Sequence, residues 1–140
     1  RSPLIMSWPA GLVKSQHGAL SHELTTVLDI MPTLMDIAGL DPSPRPGILP
    51  FEGHSFLSIL KGAPENWQPP EELFWAHNKG RAARVGDWKL VSVSRQPWEL
   101  YNLAEDGTEL HNLASKMSDK VTELAKKHAA WDKRTNLSGR

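Results

Sequence analysis

The chain has 140 residues, 39 % hydrophobic and 23 % charged, the balance of an ordinary folded protein and not of a disordered one. Sixteen Lys and Arg offset sixteen Asp and Glu, so no net field draws it toward nucleic acid or an anionic membrane. No apolar run reaches the roughly 20 residues that span a bilayer, and the absence of cysteine excludes disulfides and thiolate chemistry.

Residues 4–8, Leu4-Ile5-Met6-Ser7-Trp8, read as a nearly all-apolar buried strand closed by Pro9 and Gly11. Such a strand needs neighbours on both sides, and little of this sequence supplies them, so the chain reads as cut from something larger. Ile30, Leu34, Ile37 and Ala38 then recur at helical spacing and predict a helix over 30–38 with one apolar face. Asp29 is its expected N-cap, Pro32 is tolerated in the first turn, and Gly39 ends it.

The run Asp41-Pro42-Ser43-Pro44-Arg45-Pro46-Gly47, followed by Pro50, excludes regular structure and reads as a stiff connection. A short capped helix is expected over 54–62, ending at Gly62, with a second loop over 64–70. The division falls into residues 1–62, the end of a larger α/β domain with its connecting loop, and residues 63–140, a smaller subdomain.

Strands are expected over 73–77, 81–85, 88–93 and 98–103. The turns between them lie at Asn78-Lys79-Gly80 and Gly86-Asp87, and Glu105-Asp106-Gly107 ends the last strand. Short turns imply antiparallel pairing, and alternation matches Trp88 and Leu90 with Trp98 and Leu100. Val121, Leu124, His128 and Trp131 share one face of a final helix, with Ser118 as N-cap and basic residues toward its end. Glu123 and Lys127 are expected to add an i,i+4 pair worth roughly 0.3 kcal/mol. The fold class is α+β: a leading strand and helix from an α/β catalytic domain, then a four-stranded antiparallel sheet packed on a C-terminal helix.

Tests for chemistry return little. His22-Glu23 starts a zinc-type H-E-x-x-H motif, but position 26 is Thr, so the second ligand is missing. The six histidines do not fall at ligand spacing with carboxylates, so a self-contained metal site is not expected. The glycines form neither G-x-G-x-x-G nor a P-loop, there is no G-x-S-x-G elbow, and Ser21-His22 alone is no triad. Of the six tryptophans, Trp88, Trp98 and Trp131 are expected in the core, whereas Trp67 and Trp75 are open to a sugar-stacking role. Arg81 and Arg84, with His77 and Lys79, are a candidate positive patch for an anionic group, set against an ordinary solvated strand face.

The ordered segments resemble the C-terminal portion of type I sulfatases, in the alkaline phosphatase superfamily. Arg1-Ser2-Pro3-Leu4-Ile5-Met6-Ser7-Trp8-Pro9-Ala10-Gly11 resembles R-x-P-apolar-x-W-P-G, and Asp29-Ile30-Met31-Pro32-Thr33-Leu34 through Ala38-Gly39 resembles D-x-x-P-T-L-x-x-x-A-G. Glu52-Gly53-His54-Ser55-Phe56 through Leu60-Lys61-Gly62 resembles D-G-x-S-L-x-x-x-L-x-G. Arg81-Ala82-Ala83-Arg84-Val85-Gly86-Asp87-Trp88-Lys89-Leu90-Val91 resembles R-A-V-R-x-G-x-W-K-L-V. Trp98-Glu99-Leu100-Tyr101-Asn102-Leu103 with Glu109, Asn112 and Leu113 resembles W-E-L-Y-D-L and its trailing E-x-x-N-L.

The resemblance implies a parent enzyme that hydrolyses sulfate esters through a formylglycine and a divalent cation, usually calcium. The residues that do this precede the R-x-P segment in the family, so no catalytic or metal residue is carried over, and the chain alone is expected to be inactive. Its implied partners are the catalytic domain and a sulfated small molecule or glycan, with no nucleic acid and no membrane span. The implied compartment is periplasmic, secreted or lysosomal sooner than cytoplasmic. Trp75-Ala76-His77-Asn78-Lys79-Gly80 stands where some members carry W-E-H-x-G near the substrate pocket, with Ala76 in place of the acid, and makes His77 the candidate substrate-binding residue. Two other readings stay open: a phosphate or phosphonate ester hydrolase of the same superfamily, and a non-catalytic carbohydrate-binding module.

Overall fold

The computed structural model describes residues 3–41, 43 and 46–135. Expectations at Arg1, Ser2, Pro42, Pro44 and Arg45 lie outside the described residues. The chain divides into two compact units, Arg1–Pro70 and Glu71–Arg140.

In the first unit the expected leading strand does not form. Residues 4–8 carry no strand pairing, and Ile5 stands 89 % exposed. An apolar run becomes a strand only when neighbours accept its backbone hydrogen bonds, and none of the described residues pairs with it. The segment runs instead into a turn, where the Trp8 carbonyl accepts the N–H groups of Gly11 and Leu12 at 3.0 and 2.9 Å. Lys61 closes it, donating to the Gly11 carbonyl at 2.9 Å and lying 4.7 Å from the Trp8 ring centroid.

The expected helix is present as α1, Ile30–Ile37. It ends as the sequence requires: Gly39 adopts φ 68°, its N–H bonds the Asp36 carbonyl at 3.0 Å, and the Leu40 N–H bonds Met35 at 2.9 Å. That is the paired closure only a left-handed residue allows. The face it buries differs from the one expected. Pro32 and Thr33 are buried, while Leu34 and Ala38 of the apolar stripe are exposed.

The reason is a polar knot. Asp29, 2 % exposed, accepts the Thr26 N–H and hydroxyl at 2.6 and 3.0 Å and the His54 N–H at 2.8 Å. The Thr33 hydroxyl donates to the Asp29 carbonyl at 2.6 Å and accepts the Phe56 N–H at 3.0 Å. Ser55 donates to Asp36 at 2.6 Å. Asp29 therefore joins residues 26 and 54 instead of capping α1 with its side chain. Gly53 lets the two segments meet, since a Cβ there would lie 2.2 Å from the Leu28 carbonyl oxygen.

The second expected helix shortens to α2, Leu57–Leu60. The 64–70 loop contains one 3₁₀ turn, Pro64–Asn66. Phe56, Ile59 and Trp67 form a small core with Met6 and Leu60 against it. Trp67 is buried and donates from its indole to the Leu24 carbonyl at 3.1 Å.

The second unit keeps closely to its sequence. β1 (Glu72–His77), β2 (Gly80–Val85), β3 (Trp88–Ser92) and β4 (Glu99–Asn102) form one antiparallel sheet in that order. Leu90 pairs with Leu100 as expected, whereas Trp88 stands opposite Asn102. The final helix α3 runs Ser118–Thr135, so Ser118 is its first residue and not the residue before it. Its Leu124 meets Ala83, Leu90 and Leu100, all four fully buried, with Trp88 and Trp98 packed around them. Trp131 stacks on Phe74 at 5.7 Å.

One expected ion pair exchanges partners. Lys127 bonds Glu72 of β1, which raises the Lys127 pKa mainly through that hydrogen bond. Glu123 pairs with Lys120 at 2.9 Å instead. A carboxylate on the strand under the helix offers Lys127 a cross-element partner that helix spacing cannot reveal.

Candidate functional site

Strand alternation sorts the sheet's side chains into two faces. Glu72 and Phe74 on β1, Arg81 and Ala83 on β2, and Leu90 and Leu100 on β3 and β4 share the α3 side, as the register and the core require. Leu73, Trp75 and His77 share the other side with Ala82, Arg84, Lys89, Val91, Glu99 and Tyr101. His77 is thus an exposed side chain at the last position of β1, next to Trp75, which is 47 % exposed. Its Nε2 lies 3.0 Å from the Asn78 amide nitrogen, and Asn78 takes φ 53° to turn the hairpin. Ala76 belongs to the opposite face.

The candidate positive patch is not assembled. Arg81 and Arg84, three apart on one strand, point to opposite faces. Arg81 lies over the Trp98 ring at 4.2 Å, and Arg84 donates from Nε to the Gly86 carbonyl at 2.9 Å. His77 therefore shares its face with Arg84 but not with Arg81.

The rest of the His77 face is internally matched. Lys89 bonds both Glu109 oxygens, at 2.6 and 2.7 Å. The buried Tyr101 hydroxyl donates to Glu99 at 2.9 Å; burial first, and Glu99 second, push its pKa up to about 12. This phenol is a hydrogen-bond donor at neutral pH and no proton acceptor. Among the described residues no group of three or more His, Asp or Glu comes together as a metal donor set. His22 and Glu23 are exposed, and Ser21 only accepts the Glu23 N–H at 3.3 Å.

Sequence reasoning missed how the loop after β4 is built. Asp106 accepts the His111 and Leu110 N–H groups at 2.7 and 3.1 Å, which hold its carboxyl below the usual range, His111 first. Asn112 accepts the Leu100 and Ala114 N–H groups, and the Leu113 N–H bonds the Leu100 carbonyl at 2.8 Å. The loop so covers the free edge of β4. The signal was Asp and Asn before short gaps, where side chains bond nearby backbone. Because the folded pKa of Asp106 is depressed, its contribution is present above the ordinary carboxylate pKa of about 3.9 and lost as pH falls through the lower folded value. Urea midpoints at pH 5 and pH 3 are expected to show a smaller acid loss in Asp106→Asn than in the parent chain; equal losses would remove this role.

The second unit is thus a meandering four-stranded sheet with a C-terminal helix packed on it. The chain belongs to the family described as N-sulphoglucosamine sulphohydrolase, C-terminal, which matches residues 1–134. Its fold is similar to that of a phosphonate monoester hydrolase of Agrobacterium radiobacter, at 24 % identity and TM-score 0.56 over 81 % of this chain and 26 % of that one. A Bacteroides thetaiotaomicron protein of a core locus for metabolism of multiple glycosaminoglycans matches at 21 % identity and TM-score 0.58, over 75 % of this chain and 24 % of that one. A protein solved with its substrate D-glucosamine-2-N,6-O-disulfate matches at 22 % and 0.52, over 75 % and 23 %. The chain spans about a quarter of the length of these structures.

Proposed function

We propose that this chain is the structural C-terminal part of a sulfuric ester hydrolase, whose reactive groups stand in sequence outside it. The observation that carries this reading is the unfinished first unit. Its polar knot is fully bonded, yet Ile5, Val27, Leu28, Met31 and Leu34 are left exposed, an apolar surface of the kind that packs against more protein. The catalytic domain is the partner that covers it. The parent enzyme uses a formylglycine and calcium held by that domain, acts on a sulfated small molecule or glycan, and works in a periplasmic, secreted or lysosomal compartment.

The open sheet face supports a second part of the proposal: His77, beside the exposed Trp75, forms one wall of the substrate cleft. An imidazole there supplies a hydrogen bond to an anionic substrate. A sister activity on phosphonate esters stays as the second reading, favoured by the likeness to the Agrobacterium radiobacter hydrolase. The carbohydrate-binding module loses support, because Trp67, one of its two tryptophans, is 6 % exposed.

The test joins the chain to the sequence that precedes it and compares turnover of an aryl sulfate and a phenyl phosphonate. Turnover of the sulfate by the joined protein, none by the 140-residue chain, and about a tenfold lower kcat/KM in His77→Ala are expected, the scale of one lost hydrogen bond to a charged group. Turnover by the chain alone overturns the structural role. A joined protein that prefers the phosphonate moves it to the sister activity.

A further inference from the structure

Among the described residues, three of the four non-glycine positions with positive φ gather at one end of the sheet. Asn78, at φ 53°, turns the β1–β2 hairpin. Ser94 and Arg95, at φ 53° and 62°, are the central pair of the turn after β3, which the Gln96 N–H closes on the Val93 carbonyl at 2.9 Å. A turn with both central residues left-handed is ordinarily made of Gly, Asn or Asp, since the Cβ of another residue crowds the next carbonyl. Glycine at position 95 would take this backbone without strain. What arginine adds there is a planar cation whose N–H fork fits two oxygens of a sulfate or carboxylate. Non-glycine strain of this kind collects where a side chain is used.

The turn is fastened to the hairpin that carries His77. The Arg95 N–H donates to the Lys79 carbonyl at 3.2 Å, and the Ser92 hydroxyl holds the far side of the turn through the Gln96 carbonyl at 2.5 Å. Residues 77–79 and 93–97 are all exposed and include no Asp or Glu. Lys79 and Arg95 enter no ion pair among the described residues. By contrast, Lys89 pairs with Glu109 and Lys127 with Glu72, Arg81 lies over the Trp98 ring, and Arg84 bonds the Gly86 carbonyl. The carboxylate that follows in the chain, Glu99, accepts the Tyr101 hydroxyl. Set against the two cations, it still leaves one positive charge over before His77 is counted.

We propose that Arg95 and Lys79 hold a second anionic group of the substrate, a sulfate or carboxylate, in addition to the group that meets His77, and so favour multiply anionic sugars over singly sulfated ones. The proposal rests on the reading of His77 as a wall of the substrate cleft. It assigns the two turns to specificity and gives Arg95 no part in the chemical step.

The test uses the chain joined to the sequence that precedes it, with three probes: glucosamine-2-N,6-O-disulfate, glucosamine-2-N-sulfate and glucosamine-6-O-sulfate. Their inhibition constants against aryl sulfate turnover are compared, or their calorimetric Kd values if the joined protein shows no turnover. The disulfate is expected to bind at least about tenfold more tightly than either monosulfate, the scale of one charge-assisted hydrogen bond. Arg95→Gly is expected to bring the disulfate down to the level of the monosulfates with no fall in thermal midpoint, because glycine relieves the left-handed backbone. Arg95→Lys, which keeps the charge without the fork, is expected to retain part of the advantage. Equal binding of the three sugars, or a disulfate advantage that survives in Arg95→Gly, overturns the proposal. So does a lowered thermal midpoint in that variant, which makes Arg95 a structural residue. Absence of aryl sulfate turnover with the disulfate advantage intact instead removes the sulfatase reading and leaves the anion site standing, so the two failures are told apart.

Discussion

Leu124→Ala is expected to destabilise the second unit by about 4 kcal/mol, near the upper end for a buried leucine cut to alanine. Leu124 is 0 % exposed and stands where α3 meets the sheet, against Ala83, Leu90 and Leu100, which are themselves fully buried. Ala83 is already small, and Leu90 and Leu100 are fixed opposite each other in adjacent strands, so little can move in to fill the space. The cavity then adds to the lost transfer energy. Urea unfolding followed by tryptophan fluorescence should show a lower midpoint at an unchanged slope. A loss below about 1 kcal/mol would mean that the helix is not seated on the sheet as described.

Asp29→Ala is expected to cost the first unit about 2–3 kcal/mol, because it leaves three part-buried donors without their carboxylate. The donors are the Thr26 N–H, the Thr26 hydroxyl and the His54 N–H. Their loss separates α1 from the strap at residues 54–56, which carries Phe56 into the small core with Trp67. Asp29→Asn keeps one carbonyl oxygen and the shape of the side chain, and is expected to lose less than Ala. The measurement is urea unfolding of the full chain, read from the wavelength of the buried Trp67 emission, with Trp67→Phe to assign the signal. An Asp29→Ala chain that unfolds at the parent midpoint would leave the knot without weight.

These two changes mark how differently the two units are written in the sequence. In the second, the turns, the strand pairing and the buried face of the helix are close in sequence or keep to a period. Gly86-Asp87 and Asn78-Lys79 are two-residue turns, and the strands between them are too short for any pairing but the antiparallel one. The stripe of Leu124, His128 and Trp131 repeats at helical spacing, so its buried face could be read directly. The split of Arg81 and Arg84 onto opposite faces also comes from a period of two. The candidate patch ignored that rule.

In the first unit the same periodic reading picked the wrong buried face. Ile30, Leu34 and Ile37 form an apolar stripe, but the side of α1 that meets the rest of this unit is Asp29, Pro32, Thr33 and Asp36. Burial there is set by hydrogen bonds to residues 54–56, more than twenty positions away from Asp29 and Thr33, and no local period encodes that distance. Residues 4–8 fail for the same reason, since a strand's stability lies in its neighbours.

Of the candidate site, His77 was legible as a residue but not as a place. Its position beside Trp75, on the side of the sheet away from α3, required the register. The fastening of Arg95 to Lys79 needed more still, because it joins two turns that are apart in the chain.

By itself the sequence determined the order of elements, the turns, the meander of four strands and the amphipathic C-terminal helix, because each is set by bonds and periods within about ten residues. It also determined the family, through scaffold motifs in a set order. Only the tertiary structure decided that Asp29 is a tie between segments, that Lys127 answers Glu72, and that Trp67 is core. Each of those outcomes is a choice among partners far apart in the chain, and for Asp29 and Trp67 it is settled by burial, which leaves no polar group without a partner.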